Sequence, residues 1–433
     1  MNSTATKKTF REYFYFLFGQ QFSILGSMIV YFVITWWLTV ETQSAVILSI
    51  SAFLLFIPQI VVTPIAGVLA DRLKRKNIII IVDSLQAGIS FGLFFLFFFG
   101  ITFVWLIMIV NTLRSVLQAF HTPTFYAIVP SMVPKDKLSR INGINYLFGG
   151  IMNITGPLIA ALLYEFIEIQ LIFLLDIYTF LIALIPLVLI TIPKVRSPEK
   201  EEKAKKSFRK DFFTGLAIVK AIPGLMSMII MATIWNFIFR PFAVLMPYYV
   251  SVFHSGTALD LAVVTAFMQA GNITGALITT LKKTWKHKIK INLIGVVGFF
   301  GAYLLVIFAP MGGFWFMGIG TMIAGTILPV TVALYLTILQ TEVPQDKIGR
   351  VMSIDHMISM AIAPLGALFA GPMADLIGIQ TLFLGCSIIG MLFPLVLWFF
   401  TKIRALDEEK LEEKLEVELE VRDLTKTESE IVP

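Results

Sequence analysis

The chain has very little of what proteins commonly use for bond chemistry. Its 433 residues include a single cysteine, Cys386, so neither an intrachain disulfide nor a cysteine-based metal cluster can form. Its four histidines, His121, His254, His287 and His356, are scattered. No His–Glu zinc spacing, paired membrane aspartates or Ser–His set stands out, which argues against an intramembrane enzyme. No Gly-x-x-x-x-Gly-Lys-Ser/Thr segment occurs, so ATP drive through a phosphate loop in this chain is excluded. No cofactor and no metal site is implied. Charge is also scarce, at 14% of residues against 57% hydrophobic. A soluble domain of this size could not hide so much apolar surface.

What is abundant is long apolar sequence, with 39 phenylalanines. Backbone buried in lipid must satisfy its own hydrogen bonds, so such runs read as membrane helices. Twelve spans are expected, at 13–39, 45–70, 78–99, 102–131, 140–164, 170–192, 224–250, 259–281, 290–309, 314–340, 352–374 and 381–402. Bases collect in alternate connections: the N-terminus, Arg72 to Lys76, Lys135 to Arg140, Lys194 to Lys220, Lys282 to Lys290, Lys347 to Arg350, and Lys402 onward. The opposite connections, near Glu41, Gly100, Glu165, His254, Pro310 and Asp375, contain no Lys or Arg. The positive-inside rule then puts both termini in the cytoplasm of a multi-pass plasma-membrane protein. Miscounting by one span would mix bases into both sets. The apolar stretch after Lys7, Lys8 and Arg11 runs to about Leu38, too long for a signal-peptide core.

The formal net charge of +6 hides an acidic tail. After Arg404 there are eleven acids and four bases, and the remainder of the chain carries +13. On a membrane protein this excess marks cytoplasmic loops and lipid contact, and no nucleic-acid partner is expected. The tail places Leu411, Leu415 and Leu419 in steps of four among glutamates, a pattern for a short solvated helix.

The chain repeats at half its length. Val133-Pro134-Lys135-Asp136-Lys137-Leu138-Ser139-Arg140 returns as Val343-Pro344-Gln345-Asp346-Lys347-Ile348-Gly349-Arg350, and Leu184 to Leu189 echoes Leu392 to Leu397. A repeat of six helices keeps its orientation, so the halves are parallel about an axis normal to the membrane. The expected organisation is an N-terminal half at 1–192, a connector at 193–222, a C-terminal half at 223–403 and the tail at 404–433. The Glu199 to Lys206 charge run keeps the connector out of lipid. Phe212, Phe213, Leu216 and Val219 or Lys220 follow at near-helical spacing, which fits either an amphipathic helix on the inner surface or a disordered linker.

The island Gly67-Val68-Leu69-Ala70-Asp71-Arg72-Leu73-Lys74-Arg75-Lys76 follows the second span. Its Gly-x-x-x-Asp-Arg-x-x-Arg-Lys pattern resembles the loop signature of the major facilitator superfamily of transporters. Trp36-Trp37-Leu38-Thr39 with Ser44-Ala45, Arg114-Ser115 before Ala119 to Pro123, Val133-Pro134, Ala160 to Tyr164 and Gly349-Arg350-Val351 are similar to the macrolide-efflux branch of its drug:proton antiporters. The resemblance spans essentially the whole chain. It implies an all-α fold of twelve transmembrane helices in two pseudo-symmetric six-helix halves. It also implies that Gly67 permits close helix approach, that Asp71 latches onto the start of the eleventh helix in an outward-facing state, and that Arg72 and Arg75 fix the loop by charge pairing. Lys74 stands where the family usually has glycine. Gly156-Pro157 with Ala160-Ala161 partly matches the antiporter pattern that lets helices of the two halves approach. An ordinary proline kink is the other reading.

Four ionisable residues fall inside spans: Asp83, Arg114, Asp176 and Arg240. Each costs on the order of 3 kcal/mol unless paired or hydrated. Counting about 1.5 Å per residue puts Asp83 about 8 Å and Arg114 about 12 Å from the inner edge. An Asp83–Arg114 pair is one expectation, and a cavity-facing Arg114 is the alternative. The resemblance implies that spans one, four, seven and ten line a central cavity. Arg240, on span seven beside Pro241, then suits either a polar spot in it or a packing role with snorkelling. Asp176, on the peripheral sixth span, is expected in a structural hydrogen bond, with proton carriage as the alternative. Gln20 and Gln21 stand where some drug antiporters carry an acid, so the coupling carboxylate stays open. Substrate contact is assigned to Gln20, Trp36, Trp37, Asn111, Trp235, Asn236, Phe239 and Tyr335, because broad aromatic pockets suit bulky amphipathic molecules. The expectation is a monomeric secondary exporter of hydrophobic, macrolide-like compounds, exchanging them for protons by alternating access. Its rivals are export of a siderophore, lipid or metal complex on the same fold, and a non-transporting receptor.

Overall fold

The computed structural model describes residues 6–193, 208–282, 284–345 and 347–406. The Glu199 to Lys206 run, Asp346, the tail leucines Leu411, Leu415 and Leu419, and the side chain of Asp71 lie outside what is described. The described residues are almost wholly helical and contain no strand. Among the described residues, twelve helices are long and apolar enough to cross a membrane. They are α1 (Lys7–Thr42), α2 (Ala45–Arg72), α3 (Arg75–Phe98), α4 (Val104–Met132), α5 (Leu138–Phe166), α6 (Ile169–Leu189), α7 (Leu225–Tyr248), α8 (Ala258–Leu281), α9 (Lys288–Ile307), α10 (Phe314–Glu342), α11 (Ile348–Ile377) and α12 (Ile379–Phe400). All twelve expected spans are present, with ends shifted by a few residues where polar caps extend them. Ser44 caps α2 through its hydroxyl on the Ile47 amide at 3.3 Å, and Thr257 and Asp260 form a capping box on α8.

Consecutive helices run in opposite directions, so the closely packed pairs α2–α4 and α8–α10 run parallel. The ends of the molecule are named here by their loops, the basic end and the far end. The sequence repeat has a backbone counterpart at the basic end. The Lys137 amide donates to the Pro134 carbonyl at 3.0 Å before α5, and the Lys347 amide to the Pro344 carbonyl at 2.9 Å before α11. Val133 and Val343 plug the two junctions at 1% and 3% exposure. Each proline ends an extended stretch and the next turn starts a helix, so the same residues make the same corner twice.

Small residues set the closest approaches. On α1, a Cβ at Gly26 would lie 2.1 Å from Thr179 Oγ1 and 2.8 Å from Asp176 Oδ1, so α1 rests directly on α6. On α8 and α10, Gly271, Gly275 and Gly325 meet the carbonyls of Met322, Thr326 and Met268 of the opposing helix. This is the small-residue contact that membrane helices use in place of hydrophobic driving force.

Between the halves, α2 packs on α11 and α5 on α8. The α2–α11 seal is at the far end, where a Cβ on Gly371 would stand 2.5 Å from the Ala45 carbonyl oxygen and 2.6 Å from Val46 Cα. Toward the basic end, Gly67 on α2 and Gly349 on α11 have nothing within 4 Å of such a Cβ. The close approach expected at Gly67 is therefore absent in this conformation, because the halves meet at their other ends. Gly156 also departs from expectation. It packs on Met28 Cβ of α1 at 3.0 Å, within its own half, and the cross-half contact of α5 falls to Gly150 against Ile273 at 3.6 Å.

The connector contains a helix at Phe208–Ala221. Its Ile218 and Val219 are buried, and Gly215 sits on Ile354 and the Arg350 carbonyl of α11. At these positions the helix is held by protein, so Val219 is not the lipid-facing residue of the sequence reading. In the α2–α3 loop, Arg75 donates to the carbonyls of Ala70 at 3.2 Å and Ala127 at 2.6 Å. Lys74 has φ −71° and caps the start of α3 in extended conformation, so the loop needs no glycine there.

Candidate functional site

A cavity of about 590 Å³ lies between the halves. The N-terminal half supplies most of its wall, from α1 to α5, and the C-terminal half adds Ala243 to Pro247 on α7 with Leu261 and Thr265 on α8. The sequence reading placed α10 on this wall. In the structure α10 is drawn against α8 by the glycine contacts above and lines none of it. Much of the wall is apolar, with a polar strip on one side formed by Ser23, Ser27, Gln86, Asn111, Gln118 and Asn153 and by the ionisable Asp83, Arg114 and His121. An apolar pocket with a few convergent polar groups suits an amphipathic organic molecule.

Several expected contact residues are elsewhere. Trp36 is buried in the core of α1 packing at 3% exposure. Trp235 stacks on Phe239 with ring centres 5.3 Å apart, and both pack on Phe299. Asn236 donates back to the Ala232 carbonyl of its own helix at 3.0 Å. Tyr335 donates to Asp355 Oδ1 across the α10–α11 contact at 2.5 Å. Of the expected set, Asn111, Asp83, Arg114 and Pro157 do reach the cavity. Arg240 stands behind the wall, its guanidinium 4.7 Å from the ring centre of Phe56, a cavity residue. A cation over an aromatic face is partly compensated for lost water.

The buried charges pair differently from expectation. Arg114 forms an ion pair with Asp176 of α6, Nη1 to Oδ2 at 3.0 Å, with both side chains almost fully buried. Ser90 Oγ donates to the same Oδ2 at 2.6 Å, and Arg114 also reaches the Ser90 hydroxyl and the Gln86 carbonyl. Ser27 of α1 donates to Asp176 Oδ1 at 3.3 Å. Four helices thus meet at one ion pair. Asp83 has other partners. His121 Nε2 lies 3.4 Å from Asp83 Oδ1 and 2.8 Å from Gln20 Oε1, and Gln20 Nε2 donates to Asp83 Oδ2 at 3.0 Å. Gln20 sits behind the cavity surface, fully buried.

Helix register explains the exchange of partners. On antiparallel α3 and α4, Ser90 faces Arg114, and Asp83, seven residues nearer the basic end, faces His121, seven residues further along α4. Seven residues are about 10 Å of helix. The sequence-based depths separated Asp83 and Arg114 by only about 4 Å, because they were measured from apolar run ends rather than from packing. As one of four scattered histidines, His121 carries no signal by type; its signal is position, within a membrane span and seven residues, two helical turns, after Arg114 on the same helix face.

A profile of the Major Facilitator Superfamily matches residues 16–364. Macrolide efflux protein A of Streptococcus pyogenes is 28% identical over 389 residues, covering 90% of this chain and 96% of that protein. Macrolide efflux protein A of Enterococcus faecalis is 28% identical over 323 residues, 75% of this chain and 99% of that protein. Among solved structures, the nucleoside transporter NupG superposes with a TM-score of 0.68 at 13% identity, over 90% of this chain and 100% of that one. With twelve spans in two repeated halves around a shared cavity, this multi-pass membrane protein belongs to the major facilitator superfamily of transporters.

Proposed function

We propose that the chain exports hydrophobic or amphipathic, macrolide-like compounds across the plasma membrane in exchange for protons. The observation that carries this reading is the cavity itself: about 590 Å³, mostly apolar, with all but one of its polar side chains, Thr265, on the N-terminal half. Such a wall binds by area and shape and holds orientation through few polar contacts. Similarity to two macrolide efflux proteins over most of the chain supports the substrate class. The loop charges support a cytoplasmic basic end. On that orientation the structure is inward-facing: sealed at Gly371 and open at Gly67. Alternating access then consists of rocking the halves until the far-end seal parts and the basic end closes. Asp71 remains a proposed latch for that second state, in which α2 would meet the start of α11.

Cells expressing the chain should accumulate less radiolabelled erythromycin than cells without it, and a protonophore should abolish the difference. Equal accumulation with and without the chain would remove the macrolide reading. A difference that survives the protonophore would remove the proton drive. Orientation has its own test in a Cys386→Ser background. Lys135→Cys and Thr257→Cys, exposed at opposite ends, should react with an impermeant maleimide from the inside and the outside respectively. Labelling of both from one face would overturn the assignment.

A further inference from the structure

We infer that Asp83 and His121, bridged by Gln20, form one shared proton-binding site in the cavity wall, and that this site carries the exchanged proton. The inference rests on the proton-coupled export proposed above and names the residues that would perform it. Three side chains from α1, α3 and α4 converge here, each nearly removed from solvent, with Asp83 3% exposed, His121 5% and Gln20 0%. The hydrogen-bond roles follow from the donors. Gln20 Oε1 and the Asp83 carboxylate only accept toward His121, so Nε2 carries hydrogen. The Gln20 amide nitrogen holds the other carboxylate oxygen. Among the described residues nothing hydrogen-bonds Nδ1 of His121, and both His121 and Asp83 line the cavity.

The proton step follows from that arrangement. A hydronium ion in the cavity gives its proton to the Nδ1 lone pair and leaves as water. The resulting imidazolium keeps its Nε2–H toward Asp83, and the pair goes from one net negative charge to none. Release is the reverse, from Nδ1 back to water. An isolated charge at this depth is costly, whereas the neutral pair costs far less. The site therefore changes its preference as water enters or leaves the cavity, which is what coupling to alternating access requires. Two states that differ in hydration bind the proton with different affinity.

The surrounding charges leave this role to the pair. Asp176, from α6, is held by Arg114, Ser90 and Ser27 and is committed to its ion pair. From α1 and α5 the nearby cavity groups are neutral: Ser23, Ser27 and Asn153. Gln86 and Gln118 on α3 and α4 are neutral as well. Across the cavity the charged residue is Arg240, stacked on Phe56 and always protonated. With Arg114 and Asp176 committed to each other, Asp83 and His121 are the acid and base of this wall left to share a proton. Gln20 is a positioning residue that orients both.

Proteoliposomes containing the purified full chain test the site, with radiolabelled erythromycin as the probe. Two rates are read: downhill exchange at equal pH, and accumulation driven by an imposed pH gradient. Asp83→Asn and His121→Gln both keep side chains of similar size. Each should lower gradient-driven accumulation at least tenfold more than it lowers downhill exchange, and flatten the pH profile of exchange. A purely structural pair would lower exchange and accumulation together and keep the profile. That result, or gradient-driven accumulation retained in Asp83→Asn, overturns the inference while leaving proton-coupled export intact. If the unaltered protein ignores the gradient, the function proposed above falls and this site falls with it. Should Asp83→Asn fail to fold, His121→Gln decides by the same criteria, and a pH-dependent carboxylate band in the infrared spectrum of the unaltered protein should disappear in it.

Discussion

Arg114→Ala should destabilise the protein by about 3–5 kcal/mol, because it strands the Asp176 carboxylate in a site with almost no solvent. Adding Asp176→Ala should restore a large part of that loss, since the double variant leaves no buried unpaired charge. Adding Asp83→Ala to Arg114→Ala should restore nothing, because Asp83 bonds to Gln20 and His121 and not to Arg114. Thermal unfolding in detergent of the singles and both doubles gives two mutant cycles. The Arg114–Asp176 cycle should show strong coupling and the Arg114–Asp83 cycle near-additivity. The opposite ranking would mean that the helix register described for α3 and α4 is wrong. Export should fall with the single variant as well, since Arg114 forms part of the cavity wall.

Gly371→Ala should open the far end. The added Cβ would meet the Ala45 carbonyl oxygen at 2.5 Å and Val46 Cα at 2.6 Å, both backbone atoms that no rotamer change can move aside. Overpacking of this kind costs about 1–3 kcal/mol. It applies in full to the conformation with α2 and α11 sealed at that end and is relieved when they part. A bias of that size shifts a two-state equilibrium by about 5- to 150-fold. Spin labels at Glu41 and Asp375, both exposed at the far end, should report a longer distance in the variant. Gly67→Ala is the control, because it has open space in this conformation and should not drive the far-end labels apart. A distance distribution unchanged by Gly371→Ala would show that this contact does not set the equilibrium.

Much of the architecture was legible from residue order. The twelve apolar runs, the segregation of Lys and Arg into alternate loops and the Val-Pro repeat each report a local or periodic constraint. A span must be long enough to cross lipid, and a duplicated half must repeat its corners. The superfamily was legible in the same way, from a short loop pattern that occupies contiguous residues.

The cavity was legible only in outline. Arg114 and Asp83 were flagged because a charge inside a span is expensive wherever it points. Their partners depend on rotation and register between helices far apart in sequence, and one turn of error exchanges one neighbour for another. Trp36, Trp235 and Tyr335 were chosen by type, yet an aromatic residue is equally at home against lipid, core or ligand.

Residue order is enough to specify a twelve-span, two-half superfamily member with its bases at one end, because span length, loop charge and internal repetition are written in contiguous residues. Packing in three dimensions is what pairs Arg114 with Asp176, joins His121 to Asp83 through Gln20, takes α10 off the cavity wall and seals the far end at Gly371. Those outcomes are set by how closely helix backbones can approach, and glycines at Gly26, Gly271, Gly275, Gly325 and Gly371 control that approach through contacts between separate helices.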